Sequence, residues 1–223
     1  MDKIKSIRGM HDIYGSEFLH QKQIIDLFES VATNFNFKPI ATPIMEFNEI
    51  FSRTLGLSSD VVMKEMYTLF DKNNEKLTLR PEGTAGIARA IISNGLTQDI
   101  PLKFYYYGPM FRYERPQKGR LRQFTQVGVE VYANSNIEKD FEVISFAEKF
   151  LKDLNIRDKL ILKINNLGNW EDRNNYIKKL KKYYLQFKKN LSEDSIIRLE
   201  KNPLRILDSK SLEDMEVNRN APK

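Results

Sequence analysis

Two alternating segments that flank a short basic loop constrain the fold of this chain more than any other feature of its sequence. Val127, Val129 and Val131 occupy every second position of the run 122–132, a pattern that predicts one apolar face of a β-strand. The run 110–114 predicts a second strand directly before the loop. Strands joined by so short a loop pair antiparallel, and such a sheet commonly buries one face while the other stays polar.

The polar face of these two strands brings together side chains that suit an anionic nucleotide. They are Arg112 and Glu114 on the first strand and Phe124, Gln126, Gly128 and Glu130 on the second. Arginine holds phosphate through forked, charge-assisted hydrogen bonds, and a glycine in a valine-rich strand indicates that something approaches the backbone closely. The alternative is a solvated face whose charges pair across the strands. Since neither G-x-G-x-x-G nor G-x-x-x-x-G-K-S/T occurs, any nucleotide must be held by side chains on a sheet.

Helical spacing predicts three helices around this sheet. The first begins at Ser16 as its N-cap, and the second opens at the run 81–84 and continues through Ile92. The third follows a capping box formed by Ser135 and Glu138. The apolar face of this third helix is predicted to consist of Val143, Ala147, Phe150 and Leu154.

Short β-like runs complete the first part of the chain. The runs 67–70 and 77–80 are separated by turn-forming residues, which predicts a hairpin, and 54–60 predicts a loop. The further extended runs are 37–41, 103–107, 110–114 after a break at Gly108-Pro109, and 160–165. Because hairpin-like strands adjoin without a regular β-α-β rhythm, the predicted fold class is α+β, an antiparallel sheet flanked by helices.

A change in composition near Gly168 predicts a domain boundary. Residues 171–201 contain nine Lys or Arg and five Asp or Glu at helical spacing, with no strand pattern. The sequence therefore predicts an α+β domain over residues 1–168 and a helical unit over residues 169–223.

The composition excludes several classes of site. Cysteine is absent, which excludes thiolate metal sites, and with only His11 and His20 no histidine-rich metal site is expected. The first residues lack the apolar core of a signal peptide and no run approaches a membrane span, so a cytoplasmic protein with no membrane partner is predicted. A net charge of +6 is compatible with a nucleic-acid partner without requiring one.

The run 111–126, FRYERPQKGRLRQFTQ, resembles motif 2 of the class II aminoacyl-tRNA synthetases, and specifically that of the histidyl-tRNA synthetases. Four further runs resemble this family in the same order: its N-terminal segment (5–13), motif 1 (37–51), its amino-acid-binding element (77–90) and part of its helical insertion domain (202–210). The resemblance covers essentially the whole chain. It implies a class II catalytic core, here incomplete, followed by a partial insertion domain.

The resemblance implies an ATP site on the polar sheet face. Arg112 matches the catalytic arginine that contacts the α-phosphate of ATP and the carboxylate of the amino acid. Glu114 matches the acid that recognises the adenine amine, Arg120 the arginine on the γ-phosphate, and Phe124 the ring stacked on adenine. ATP is expected with Mg²⁺ as its counter-ion, and no organic cofactor is implied.

The resemblance also implies a histidine site. Glu82 and Thr84 match the groups that receive the α-amino end of histidine, and Gly83 provides a close backbone approach. Gln126 lies near the same substrate, and Glu130 matches the carboxylate that accepts a hydrogen bond from the imidazole. Apart from the resemblance, Thr84 is equally consistent with a simple helix cap.

The implied macromolecular partners are tRNA-His and a second copy of the chain. Gln117, Lys118 and Arg122 are either solvated loop residues or contacts to the acceptor stem of the tRNA. The lysine-rich run 178–189 is likewise either a solvated helical face or a contact to tRNA phosphates. Motif 1 implies a homodimer formed around Pro43.

These 223 residues lack several elements of the family: its second histidine-binding element, motif 3 and its anticodon-binding domain. The resemblance therefore implies an N-terminal fragment of a histidine–tRNA ligase that is inactive alone, with residues 211–223 mobile. Two alternatives are a non-catalytic, synthetase-like regulatory subunit of ATP phosphoribosyltransferase and a dimerising interaction fragment. The intact Arg112, Glu114 and Arg120 and the run 202–210 disfavour the regulatory subunit.

Overall fold

The computed structural model describes residues 4–55, 61–134, 137–166 and 168–222. The chain divides into two compact units, Met1–Ile161 and Leu162–Lys223. The first unit contains the sheets, and the second is helical. The domain boundary placed at residue 168 from the sequence stays a prediction. Within the described residues, no helix combines the length and the apolar character needed to cross a membrane.

The first sheet has the strand order β1-β5-β6. Strands β5, Leu102–Phe111, and β6, Gln123–Tyr132, pair antiparallel along their whole length, with Gly108 opposite Gln126. Strand β1, Lys38–Pro39, pairs with β5 in the parallel direction. Within the described residues β6 therefore forms one edge of the sheet.

Two predictions about β5 were wrong. The strand continues through Gly108-Pro109 instead of breaking there, and it ends at Phe111, so residues 112–114 are not part of it. Strand β1 contacts β5 only at Phe104 and Tyr105. At Pro109, strand β5 has no partner on the side of β1. The absence of an amide hydrogen on this proline therefore removes no hydrogen bond between strands there.

Helices α1, Gly15–Asn34, and α4, Ile137–Asp153, cover one face of this sheet. The core between them contains Phe28, Val31, Ala32, Phe37, Tyr105 and Phe146, with the three valines of β6 packed against it. Burying an aromatic side chain of this kind stabilises the fold by about 1.5–3 kcal/mol. On α4 the buried residue is Phe146, whereas Ala147, predicted to face the core, is exposed. The predicted capping residue Ser135 lies outside the described residues.

The second sheet is antiparallel and has the strand order β2-β4-β3. Its strands are β2, Met45–Phe47, β3, Tyr67–Phe70, and β4, Lys76–Leu79. The pairing of β3 with β4 confirms the predicted hairpin.

Two helices accompany this sheet: α2, Asn48–Leu55, and α3, Thr84–Ser93. Thr54 and Leu55 belong to α2, so the predicted loop 54–60 does not begin at Thr54. The rest of that predicted loop, residues 56–60, lies outside the described residues.

One face of the second sheet is apolar and open. Met45, Phe47 and Leu69 are 47%, 52% and 37% exposed, and the strand pairing places all three on the same face as Leu77 and Leu79. The opposite face carries Glu46 and Thr78, which are 8% and 0% exposed.

The second unit contains the helices α5, Trp170–Gln186, α6, Glu193–Lys201, and α7, Leu212–Asn218. Its core consists of Leu180, Tyr184, Leu191, Leu199, Ile206 and Val217. The expectation that residues 211–223 are mobile is wrong for α7, because this helix buries Val217 in the core and Tyr184 Oη donates to Asn218 Oδ1 at 2.7 Å. Lys223 lies outside the described residues.

A buried carboxylate joins the segments of this helical unit. Asp214 of α7 is 0% exposed, and its Oδ2 accepts hydrogen bonds from the hydroxyls of Ser192, Ser195 and Ser209 at 2.6, 2.7 and 2.5 Å. Its Oδ1 accepts from the amide of Ser192 at 2.9 Å. Because Ser192 is the N-cap of α6, this cluster fixes α7 against the start of α6.

The predicted strand at 160–165 is absent. Residues 160–166 have no regular secondary structure, and Ile161 and Leu162 are 84% and 68% exposed. A strand is stable only when it is paired, and no described residue pairs with this run, so its β-like composition has no effect.

Candidate active site

The polar face predicted for the first sheet lies opposite the helices α1 and α4. Val127, Val129 and Val131 pack against the helical core, so Gln126 and Glu130, at the alternate positions, lie on the other face. The register places Glu130 opposite Phe104 and Gly128 opposite Tyr106 on β5. The alternation read from the sequence is confirmed.

Arg112 is held beside this face by backbone and ring contacts. Its Nε donates to the carbonyl of Pro81 at 2.9 Å, and its guanidinium carbon lies 5.2 Å from the centroid of the Phe124 ring. Its amide donates to the carbonyl of Arg122 at 2.9 Å, which connects the two ends of the basic loop. The side chain is 29% exposed, so the guanidinium is fixed yet accessible.

Glu114 connects two arginines of the predicted ATP set. Its Oε2 lies 3.2 Å from Nη1 of Arg120, and its Oε1 lies 3.9 Å from Nη1 of Arg112. The carboxylate is 14% exposed, whereas the Arg120 side chain is 60% exposed. Arg112, Glu114, Arg120 and Phe124 are thus brought together, with two cations around one carboxylate, a set that can hold a phosphate chain.

The carboxylate of Glu82 caps α3. It accepts hydrogen bonds from the amides of Thr84 and Ala85 at 2.7 and 2.9 Å. The Thr84 hydroxyl instead donates to Oε1 of Glu130 at 2.6 Å, so it connects α3 to β6. The alternative that Thr84 is the helix cap is therefore wrong, because Glu82 has that role.

Tyr106 fills the space between two glycines. A Cβ added at Gly83 or at Gly128 would collide with its ring, which explains why both positions lack a side chain. The expectation that something approaches the backbone of Gly128 closely is confirmed, and it is the Tyr106 side chain that does so. Burial, together with the nearby carboxylates of Glu130 and Glu82, raises the pKa of Tyr106 to about 12.

Tyr106 was not among the predicted site residues, although its side chain lies next to them. It is 7% exposed and packs with Ile87, Phe104 and Met110, yet its ring lies between the segments that carry Glu82 and Glu130. The signal in the sequence was that Gly83 and Gly128 lack a side chain, whereas most residues around them carry larger ones.

The polar groups around Glu130 are poised for a ligand that donates hydrogen bonds. Burial raises the pKa of Glu130, the hydrogen bond from Thr84 opposes this, and the charge of Glu82 raises it again. Within the described part of the chain, Oε1 of Gln126 and Oη of Tyr132 are buried without a hydrogen-bond partner. Unpartnered buried acceptors are costly, which favours a site that a donor completes.

The three residues predicted to contact tRNA differ in their surroundings. Gln117 and Lys118 are exposed at the turn of the basic loop. The Arg122 guanidinium lies 3.9 Å from the Tyr113 ring centroid, and its Nε donates to the carbonyl of Glu114 at 3.2 Å. Arg122 therefore stabilises the loop itself.

Neither histidine belongs to this site. His11 is exposed, with Nε2 at 3.7 Å from Glu17 Oε1, and His20 is exposed on α1. In the ranges that the structure describes, no three His, Asp or Glu side chains gather into a group that could hold a metal ion.

Comparison with known proteins identifies the family. A family model described as histidyl-tRNA synthetase matches residues 9–172. The histidine–tRNA ligase of Rhodospirillum rubrum is 48% identical over 223 residues, which cover 100% of this chain and 54% of the relative. That of Mycoplasma mobile is 48% identical over 220 residues, covering 99% of this chain and 49% of the relative. The chain thus spans about half the length of the curated relatives it matches.

Solved structures agree with this finding. The apo histidyl-tRNA synthetase of Staphylococcus aureus superposes with a TM-score of 0.74 at 32% identity, covering 97% of this chain and 54% of that one. A Bacillus halodurans protein described as an ATP phosphoribosyltransferase regulatory subunit/histidyl-tRNA synthetase shares the fold, with a TM-score of 0.58 at 23% identity, 96% of this chain and 58% of that one. The predicted class II fold and the family resemblance are confirmed: this chain belongs to the histidyl-tRNA synthetase family.

Proposed function

We propose that this chain carries histidine- and ATP-binding residues of a histidine–tRNA ligase. The whole protein would activate histidine with ATP to histidyl-adenylate and transfer it to tRNA-His, a reaction placed in the cytoplasm. The observation that carries this proposal is the position of Arg112. Its guanidinium lies between the Pro81 carbonyl and the Phe124 ring, beside the sheet face that carries Gln126 and Glu130.

In the activation step, a carboxylate oxygen of histidine attacks the α-phosphorus and pyrophosphate leaves. Arg112 stabilises the negative charge that develops on the phosphoryl oxygens, which is electrostatic catalysis by a preorganised donor. Glu114 accepts from the adenine amine, and Phe124 stacks on the ring. Arg120, exposed and paired with Glu114 in this state, is free to rotate onto the γ-phosphate. Mg²⁺ arrives with ATP as its counter-ion.

The histidine end of the proposed site is acidic. The charge of Glu82 raises the pKa of Glu130, and Thr84 connects the two carboxylates, because its amide donates to Glu82 and its hydroxyl donates to Glu130. A substrate with an ammonium group and an imidazole N–H supplies the positive charge and the donors that this pair needs. An amino acid without a side-chain N–H would leave the half-buried carboxylate of Glu130 with the Thr84 hydroxyl as its donor and no donor from the substrate, which favours histidine.

We further propose a homodimer formed through the apolar face of the second sheet, next to Pro43. Pro43 and Ile44 are exposed directly before β2, and Met45, Phe47 and Leu69 continue the same surface. Large apolar surfaces of this kind mark interaction sites. In equilibrium sedimentation the wild-type chain should be dimeric, and Phe47→Glu should shift it to monomer. A monomeric wild-type chain would contradict this part of the proposal.

Calorimetric titration of the 223-residue chain with histidine and with Mg-ATP tests the proposed function. Both ligands should bind. Arg112→Ala should weaken Mg-ATP binding by about 1.5–3 kcal/mol, the contribution of a charged hydrogen bond. Lys182→Ala on α5 is the matched control, because it also removes one positive charge, and it should leave Mg-ATP binding unchanged.

The other outcomes distinguish the alternatives. Binding of histidine without ATP would favour a regulatory, histidine-sensing protein. Binding of neither ligand would favour an interaction fragment and refute the proposal.

A further inference from the structure

A buried arginine that touches none of the proposed ligands joins the second sheet to β5. Arg80 follows directly after β4 and is 8% exposed. Its Nε donates to the carbonyl of Pro109 at 3.0 Å, and its Nη1 donates to the carbonyl and hydroxyl oxygens of Thr42 at 2.9 and 3.3 Å. Its guanidinium therefore cross-links the segment before β2 to β5 near the C-terminal end of that strand.

The main chain of Arg80 makes the same two connections. Its amide donates to the carbonyl of Ile44 at 2.9 Å, and its carbonyl accepts from the amide of Phe111 at 2.9 Å. A Cβ added at Gly108 would lie 2.5 Å from Nη2 of Arg80, so the guanidinium packs directly against the backbone of β5. Five hydrogen bonds thus fix this one residue between two segments.

Arginine is required here for its geometry. Among the described residues Arg80 forms no ion pair, and all of its side-chain hydrogen bonds go to backbone carbonyls and one hydroxyl. A planar guanidinium presents several donors in a fixed fork, whereas a lysine ammonium is a single point on a flexible stem. Lysine at this position would retain the charge but could not bridge Thr42 and Pro109 in the same way.

Pro81, the residue that follows Arg80, connects Arg80 to Arg112. The carbonyl of Pro81 accepts the hydrogen bond from Arg112 Nε at 2.9 Å. We propose that Arg80 is a positioning residue that fixes the Pro81 carbonyl relative to β5 and thereby orients the Arg112 guanidinium. This inference rests on the proposed function, in which Arg112 contacts the α-phosphate of ATP.

The first test needs no ligand. Proton exchange of the Arg112 Nε–H, observed by ¹⁵N NMR and assigned with Arg112→Lys, reports the hydrogen bond to Pro81 in the free chain. Arg80→Lys should raise this exchange rate about tenfold, the factor that corresponds to the loss of one hydrogen bond. Arg89→Lys is the matched control, because Arg89 pairs with Glu46 in the same unit without touching Pro81, and it should leave the rate unchanged.

The second test is a double-mutant cycle on Mg-ATP affinity. Arg80→Lys should weaken binding about tenfold in the wild-type background and should have no further effect in the Arg112→Ala background, because the two residues act through one contact. A merely structural role would give additive losses.

Each outcome decides one claim. An unchanged exchange rate of the Arg112 Nε–H in Arg80→Lys would overturn the positioning role. Additive losses of Mg-ATP affinity in the double-mutant cycle would also overturn it. If Arg80→Lys does not fold, Gly108→Ala decides instead: the added methyl would lie 2.5 Å from Nη2 of Arg80 and displace the guanidinium, and an Arg112 Nε–H exchange rate unchanged from wild type would overturn the role. A wild-type chain that binds no Mg-ATP would contradict the proposed function alone, since the ligand-free measurement still tests the positioning role.

Discussion

Replacing Asp214 with asparagine should strongly destabilise the helical unit. This carboxylate is fully buried, and within the described residues it has no cation as partner; four hydrogen bonds from Ser192, Ser195 and Ser209 hold its charge. Asparagine has nearly the same shape, so the change removes the charge and little volume. Three hydroxyls that donate to Oδ2 would then face an amide NH₂, a donor.

The magnitude follows from these contacts. A hydrogen bond to a charged group contributes about 1.5–3 kcal/mol, against about 0.5–1.5 kcal/mol for a neutral one. Converting four hydrogen bonds to a charged group into hydrogen bonds to a neutral one lowers the free energy of unfolding by about 4 kcal/mol. Because a neutral amide costs less to bury than a carboxylate, the net loss is about 3 kcal/mol. A core in a unit of this size supplies only about 3–5 kcal/mol. Asp214→Asn should therefore remove most of the stability of the unit Leu162–Lys223.

Hydrogen exchange followed by mass spectrometry measures this loss locally, in peptides from α6 and α7. Glu213→Gln is the matched control, since it removes the same charge from the first turn of α7 at an exposed position and should cost at most about 1 kcal/mol. Equal protection in the two variants would show that the buried cluster does not hold the unit together.

The same cluster predicts a pH dependence. Burial alone would raise the pKa of Asp214, but the hydrogen bonds from Ser192, Ser209 and Ser195 lower it below its ordinary value. Because the pKa is lower in the folded state, the stabilisation is complete above the unfolded pKa of about 3.9 and is lost as the pH falls through the folded value. The difference in protection between wild type and Asp214→Asn should shrink in the same acidic range.

Three further predictions concern the site. Gly128→Ala should lower the free energy of unfolding by about 1–3 kcal/mol, since the added methyl would lie 2.5 Å from the Tyr106 hydroxyl oxygen; an unchanged urea midpoint would argue against this packing. Glu130→Gln should weaken histidine binding by about 1.5–3 kcal/mol and Mg-ATP binding less, and equal losses in calorimetry would remove its histidine-specific role. Glu82→Ala should reduce amide protection at the start of α3 by about 0.5–2 kcal/mol while Thr84→Val leaves it intact, and the reverse order would make Thr84 the cap.

The strand pair and its two faces were predictable from the sequence because their signals are local. The valines of β6 repeat with a period of two, and the short loop before them leaves only antiparallel pairing with β5. The polar positions on the opposite face, Gln126 and Glu130, follow from the same period. Their roles toward a substrate do not follow from it and stay proposals.

The features that sequence reasoning missed depend on contacts distant in the chain. Tyr106 enters the site because Gly83 and Gly128 both leave room for its ring, and neither glycine reveals this alone. The run 160–165 has strand composition, yet composition does not supply a partner strand. The run 211–223 was expected to be mobile because the resemblance implies an insertion domain that is incomplete after Lys210, but helix α7 is fixed by Asp214, whose partners lie on other segments.

The edge position of β6 favours self-association of the chain in solution. The Gln123 amide donates to the Gly9 carbonyl at 3.5 Å, but after that position β6 has no partner strand on its outer side among the described residues, and such edges template the addition of another strand. Self-association through this edge differs from association through apolar side chains, because main-chain hydrogen bonding tolerates changes of side chain. Aggregates that persist in the Phe47→Glu variant are therefore expected to be strand-paired, and a proline within β6 would suppress them.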